Sequence, residues 1–300
     1  MKSKDINQLI ALFEAGRYGD VEKQARSLLA RYPTFGIAWD ILGASLRMQG
    51  KGAQAALPAL RKAAQFLPNE AGPHYNLGYA LQELGQLEAA VASYRQALQI
   101  QPNFAEPHVN LGNALRDLGR LDDAVASYRR ALQIQPNFAV AHNNLGSALK
   151  ELGQIDAAVA SYRRALEIDL AYVDAHINLG NALRMLGKRE EGVATYRRAL
   201  EIAPDFAEAH STLGNALQEL GQIDAALASH RRALELKPDF APAHYNLGNA
   251  LQDLGQSEPA VASFRRALEL RPDYADAHNN LGNALRDLGQ RDAAAASYRR

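Results

Sequence analysis

Histidine recurs in this chain with a fixed stride: His74, His108, His142, His176, His210, His244 and His278 lie 34 residues apart. A period of that length marks an array of like repeats. Each is a small element that cannot bury its own apolar face and must stack on its neighbours. Counting from Ala71 as position 1, repeats begin at residues 71, 105, 139, 173, 207, 241 and 275, and two degenerate ones begin at 2 and 36. The expected organisation is two degenerate repeats over residues 1–70, six regular repeats over 71–274 and a truncated ninth over 275–300. That ninth repeat stops at Ser-Tyr-Arg-Arg, where the six before it continue, and no polar cap follows; the expectation is a longer chain beyond Arg300.

Within residues 105–138, His108, Leu111, Gly112, Leu115 and Leu118 fall three and four residues apart and so share one helix face. Gly119 follows the last apolar residue and supplies the left-handed conformation on which helices commonly end. Asp122 then meets the positive end of a second helix's dipole, and every repeat from residue 71 onward has Asp or Glu there. Ala124, Tyr128, Ala131 and Leu132 form the inward stripe of that helix, and Pro136 stops it. Short connections force the two helices to run antiparallel. Gly112 lies inside a helix, where glycine costs ~0.5–1 kcal/mol relative to alanine; the expected return is a close approach to the second helix at Ala124.

The combination Leu111-Gly112, Leu115, Gly119, Ala124, Tyr128, Ala131 and Pro136 resembles the tetratricopeptide repeat, and the resemblance covers essentially the whole chain. His108 stands where that family often carries tryptophan, which only Trp39 retains. The resemblance implies an all-α, right-handed superhelical solenoid of stacked helix-turn-helix repeats, with the first helices lining a concave groove.

Asparagine is a poor helix former, because its amide competes for backbone hydrogen bonds. Yet it recurs beside the Leu-Gly pair. Position 6 reads Asn76, Asn110, Asn144, Asn178, Thr212, Asn246 and Asn280, and position 9 includes Asn113, Asn181, Asn215, Asn249 and Asn283. Both positions fall on the stripe next to the inward one, so stacking turns each into a ladder facing the expected groove. A carboxamide offers an acceptor oxygen and two donor hydrogens, and can pair with a peptide group whatever its side chain. These eleven asparagines are the candidate peptide-binding residues. The competing reading is that they bond only to neighbouring helices and hold the stack together.

Basic residues that would clamp a chaperone's terminal carboxylate, as in some proteins of the family, are absent from positions 2 and 5. The run of asparagines before Leu-Gly is instead similar to the repeat domain of protein O-linked N-acetylglucosamine transferases. That similarity implies a glycosyltransferase region beyond residue 300, with these repeats selecting Ser/Thr substrates. Two functions of different class follow: a binding scaffold for protein or peptide ligands, and the substrate-recognition arm of such an enzyme.

Other chemistry finds little support. Successive histidines are displaced by roughly the 8–10 Å of helix packing, whereas zinc gathers three or four ligands at ~2.0–2.2 Å, so no metal site and no cofactor is expected. The 33 Lys and Arg balance 33 Asp and Glu, and pairs such as Arg129-Arg130 lie on the second helix near acids, which argues against a nucleic-acid partner. No phosphate loop or nucleophile elbow appears, so no catalytic residue is assigned. With no cysteine, no membrane-length apolar run and an N-terminus unlike a signal peptide, the expected location is the cytoplasm. Array ends leave a route to self-association.

Overall fold

The spacing of apolar residues predicts two helices per repeat, and a computed structural model, which describes residues 2–300 with side chains from Asp5 onward, has them. Among the described residues there are eighteen α-helices and no strand. They divide into two compact units, Met1–Gly153 and Gln154–Arg300. The first unit contains α1 (Lys2–Glu14), α2 (Tyr18–Arg31), α3 (Gly36–Met48), α4 (Gly52–Phe66), α5 (Ala71–Glu83), α6 (Leu87–Ile100), α7 (Ala105–Asp117), α8 (Leu121–Ile134) and α9 (Ala139–Glu151). The second contains α10 (Ile155–Ile168), α11 (Val173–Met185), α12 (Arg189–Ile202), α13 (Ala207–Glu219), α14 (Ile223–Leu236), α15 (Ala241–Asp253), α16 (Ser257–Leu270), α17 (Ala275–Asp287) and α18 (Arg291–Tyr298).

Each unit is an α-solenoid. In the first, α3 packs on α4, α5 on α6 and α7 on α8, and each second helix also packs on the first helix of the next repeat. The second unit repeats the scheme with α11 on α12, α13 on α14, α15 on α16 and α17 on α18. First helices of successive repeats also touch, as α5 touches α7 and α13 touches α15. Within a unit the first helices therefore form the crowded inner surface, and what they carry beside the core stripe defines that surface.

The turn between the helices is set by one glycine. Gly119 has φ +74°, open to glycine and costly for a residue with a Cβ. Its N–H donates to the Arg116 carbonyl at 2.8 Å and the Arg120 N–H donates to the Leu115 carbonyl at 2.8 Å, the reciprocal pair of a Schellman cap. Position 8 has a different reason for glycine. A Cβ on Gly112 would lie 2.5 Å from Tyr128 Cε1, and Gly78 and Gly248 face Tyr94 and Phe264 in the same way. The tightest approach is thus to the aromatic ring at position 24, and position 20, which the sequence suggested, is close as well: a Cβ on Gly192 would lie 3.1 Å from the Gly180 carbonyl oxygen. The Tyr128 ring is fully buried. Burying about 150 Å² of it yields roughly 4 kcal/mol at ~25 cal/mol per Å², several times what the glycine costs the helix.

The histidines pin the connection between repeats. His108 Nε2 donates to the carbonyl of Pro102 at 3.2 Å, and His74, His142, His210, His244 and His278 do the same to the proline six residues earlier. A carbonyl can only accept, so Nε2 carries the proton. Trp39 Nε1 donates to Pro33 O at 2.7 Å in the same place. Histidine thus supplies the ring N–H that tryptophan supplies in the degenerate repeat.

Candidate functional site

All eleven candidate asparagines stand half-buried on first helices, neither sunk in the core nor free of their neighbours. A first helix presents positions 6 and 9 one turn apart, next to its buried Leu-Gly stripe.

In the first unit, position 6 reaches back across the seam between repeats. Asn76 Nδ2 donates to Asp40 Oδ1 at 3.0 Å, and Asn110 Nδ2 donates to the Tyr75 hydroxyl at 3.1 Å. Asn144 Nδ2 donates to Asn113 Oδ1 at 2.9 Å. Position 9 is held from within its own repeat, because the Tyr128 hydroxyl donates to the same Asn113 oxygen at 2.7 Å. Asn113 Oδ1 thus accepts twice, and these bonds leave its two amide hydrogens unused. Tyr79 replaces asparagine at position 9 of its repeat, and the Arg47 guanidinium lies 4.1 Å from its ring centroid. A cavity of about 280 Å³ lies beside this pair, lined by Tyr79, Gln82, Glu83, Asn110 and Asn113.

The second unit follows the same rules with one break. The Tyr196 hydroxyl donates to Asn181 Oδ1 at 2.7 Å and the Tyr298 hydroxyl donates to Asn283 Oδ1 at 2.9 Å. Asn280 Nδ2 donates to the Tyr245 hydroxyl at 3.1 Å and to Asn249 Oδ1 at 2.8 Å. Asn246 Nδ2 donates to Ser211 Oγ at 3.1 Å. Asn178 is also engaged. The break is at Asn215, whose carboxamide has no protein partner among the described residues. His230 occupies the position where the other repeats place Tyr or Phe. Both of its ring nitrogens are buried without a hydrogen bond. That burial holds its pKa down, at about 4.

Burial also raises the pKa of Tyr75, Tyr94, Tyr128 and Tyr196, so these hydroxyls stay protonated and able to donate at any physiological pH. Burial raises Asp40 too, while the bond from Asn76 pulls the other way. Acids at position 13 of the repeat form ion pairs across the seams. Glu83 pairs with Arg47 at 3.2 Å, Glu151 faces Arg116 at 3.9 Å and Glu219 pairs with Arg184. Each pair joins consecutive repeats within its unit. Such half-exposed pairs contribute on the order of 0–1 kcal/mol each, so they serve alignment more than stability.

The sequence located the asparagines but not their hydroxyl partners. The signal was present: Asn113 and Tyr128 are 15 residues apart, as are Asn181 and Tyr196, and Asn283 and Tyr298. A cavity of about 680 Å³ in the second unit lies among α16, α17 and α18 and touches none of the asparagines. No group of three or more His, Cys, Asp or Glu among the described residues could hold a metal ion. No helix among the described residues is long and apolar enough to cross a membrane.

Family models described as TPR repeat match residues 81–115, 112–153, 146–187, 180–221, 214–255 and 252–289, and one described as tetratricopeptide repeat matches residues 6–71. The chain belongs to the tetratricopeptide repeat family. Several solved structures are similar to it. MamA is 26% identical with a TM-score of 0.51, over 55% of this chain and 97% of that one. YrrB, described as a TPR protein with an unusual peptide-binding site, is 25% identical with a TM-score of 0.52, over 62% of this chain and 96% of that one. Cut9 in the APC/C hetero-tetramer Cut9-Hcn1 gives a TM-score of 0.66 at 18% identity over 93% of this chain. The match spans 54% of that one and speaks to fold alone. No curated protein matches the sequence.

Proposed function

We propose that this tetratricopeptide repeat protein is an interaction scaffold. On this reading the asparagine-bearing inner surface of each unit binds extended polypeptide through its main chain. The observation that carries the reading is the division of labour left after the internal bonds are made. Position-9 residues such as Asn113 and Asn181 have their oxygen engaged and their Nδ2 hydrogens unused. Position-6 residues such as Asn76, Asn110 and Asn280 have Nδ2 engaged and their oxygen unused. A peptide main chain offers the complements, a carbonyl to accept and an N–H to donate. The internal bonds also hold the carboxamides in place, so a guest strand would pay less to order them. The scaffold and peptide-binding roles of the ladder therefore support each other. The peptide-binding description of YrrB adds weight to a ligand of this class.

The test leaves the protein untouched. A fluorescein-labelled peptide of about twelve residues, built from Ser, Thr and Ala to keep its main chain accessible, is titrated with the full chain and followed by anisotropy. An otherwise identical peptide carrying N-methyl groups on alternate amides is expected to lose binding by at least about tenfold, since each methylated amide can no longer donate. Equal binding of the two peptides overturns the reading. A glycosyltransferase region in a longer chain, the second expectation, would use the same surface to present Ser/Thr hydroxyls. Its presence is decided by sequencing past Arg300.

A further inference from the structure

The inner surface of the second unit is not uniform, and the exception has a structural cause. Where position 24 is tyrosine and position 9 is asparagine, the hydroxyl caps the asparagine's oxygen: Tyr196 caps Asn181 and Tyr298 caps Asn283. Where position 24 is Phe264, which has no hydroxyl, the next repeat's Asn280 caps Asn249 instead. At Asn215 both devices fail. The imidazole of His230 is buried on the backbone at Gly214 as the tyrosines are on their glycines, but it has no para hydroxyl to extend toward α13. From the far side, Asn246 on α15 gives its amide to Ser211 Oγ. Asn215 thus keeps both the acceptor and the donor half of its carboxamide, part-exposed on the inner surface.

We propose that Asn215 sets the register of a strand bound to the second unit, taking one peptide group through both its N–H and its C=O, and that His230 is there to keep this carboxamide open. The proposal rests on the main-chain reading of the surface given above and narrows it. At Asn181 and Asn283 only donors are offered, so those rungs accept any residue, proline included. At Asn215 the guest must supply an N–H, so the preferred partner is an extended segment with a non-proline residue there. The arrangement accounts for the absence of tyrosine at this position, although an imidazole buried with neither nitrogen bonded carries a desolvation cost.

Two substitutions that the other repeats already accommodate separate the outcomes. His230→Tyr is expected to restore the hydroxyl cap on Asn215 and weaken capture of the labelled Ser/Thr/Ala peptide by about three- to tenfold. His230→Phe fills the same space without a hydroxyl, and is expected to bind within about twofold of the parent. Asn215→Ala is expected to weaken binding about tenfold, and the side-chain ¹⁵N amide signal of Asn215 should shift on addition of peptide to the parent chain. His230→Tyr and His230→Phe binding equally well, or an Asn215 amide signal unmoved by a peptide that does bind, overturns the register role and leaves the general reading standing. A parent chain that binds neither peptide overturns both.

Discussion

Replacing Gly112 by alanine would place a methyl group 2.5 Å from Tyr128 Cε1, inside the closest packing the ring allows. Alanine favours the helix by ~0.5–1 kcal/mol, but forcing a buried ring aside costs typically ~1–3 kcal/mol. Gly112→Ala is therefore expected to lower the urea midpoint by circular dichroism, and an unchanged or raised midpoint would contradict the contact. His230 makes the opposite kind of demand. Its ordinary pKa of 6.5 falls to about 4 in the folded protein because burial disfavours the charged imidazole. The unfolded chain therefore binds the proton first. The neutral form's contribution is present in full above pH 6.5 and is lost as pH falls toward 4, by roughly 3 kcal/mol across the window. His230→Phe is expected to remove this dependence. The check is to compare urea midpoints of the two proteins at pH 7 and pH 4.5, where the difference between them should change.

At the scale of the helix pair, the His108 bond to the Pro102 carbonyl ties a first helix to the connection that delivers it. His108→Leu is expected to cost about 0.5–1 kcal/mol by removing that hydrogen bond. His108→Trp should retain most of the stability, because Trp39 makes the equivalent bond; equal losses in both variants would show that the pin is dispensable. Helices, turns and caps were legible in the sequence because they follow from local rules: apolar spacing for α7 and α8, a left-handed glycine at 119, an acid at the second helix's start. The asparagines were legible as a pattern for the same reason. Their partners were not, since a bond such as Asn144 to Asn113 or Asn110 to Tyr75 joins residues brought together only by stacking. The Tyr128 ring over Gly112 was not legible either. Periodicity names the facing helix, but only the inclination of the two helices decides which of its residues meets the glycine.

For the molecule as a whole, stability should be local, because each helix pair touches only its neighbours in the stack. Gly112→Ala is expected to speed amide exchange in α5 to α9 while leaving α13 to α17 as in the parent, measured by hydrogen–deuterium exchange with mass spectrometry. A uniform rise across both units would mean that the chain unfolds as one body. The pins at the connections bear on growth as well as on stability. Their donor and acceptor are both carried inside every regular period, the ring on the first helix and a carbonyl after the second, from proline in all of them except the repeat 139–172, where Leu170 supplies it. An additional copy of residues 105–138 spliced in after Phe138 would bring a matching fastener for each new junction. Lengthening the chain this way would demand no fresh invention at the splice, and the asparagine-bearing face would extend by whole rungs.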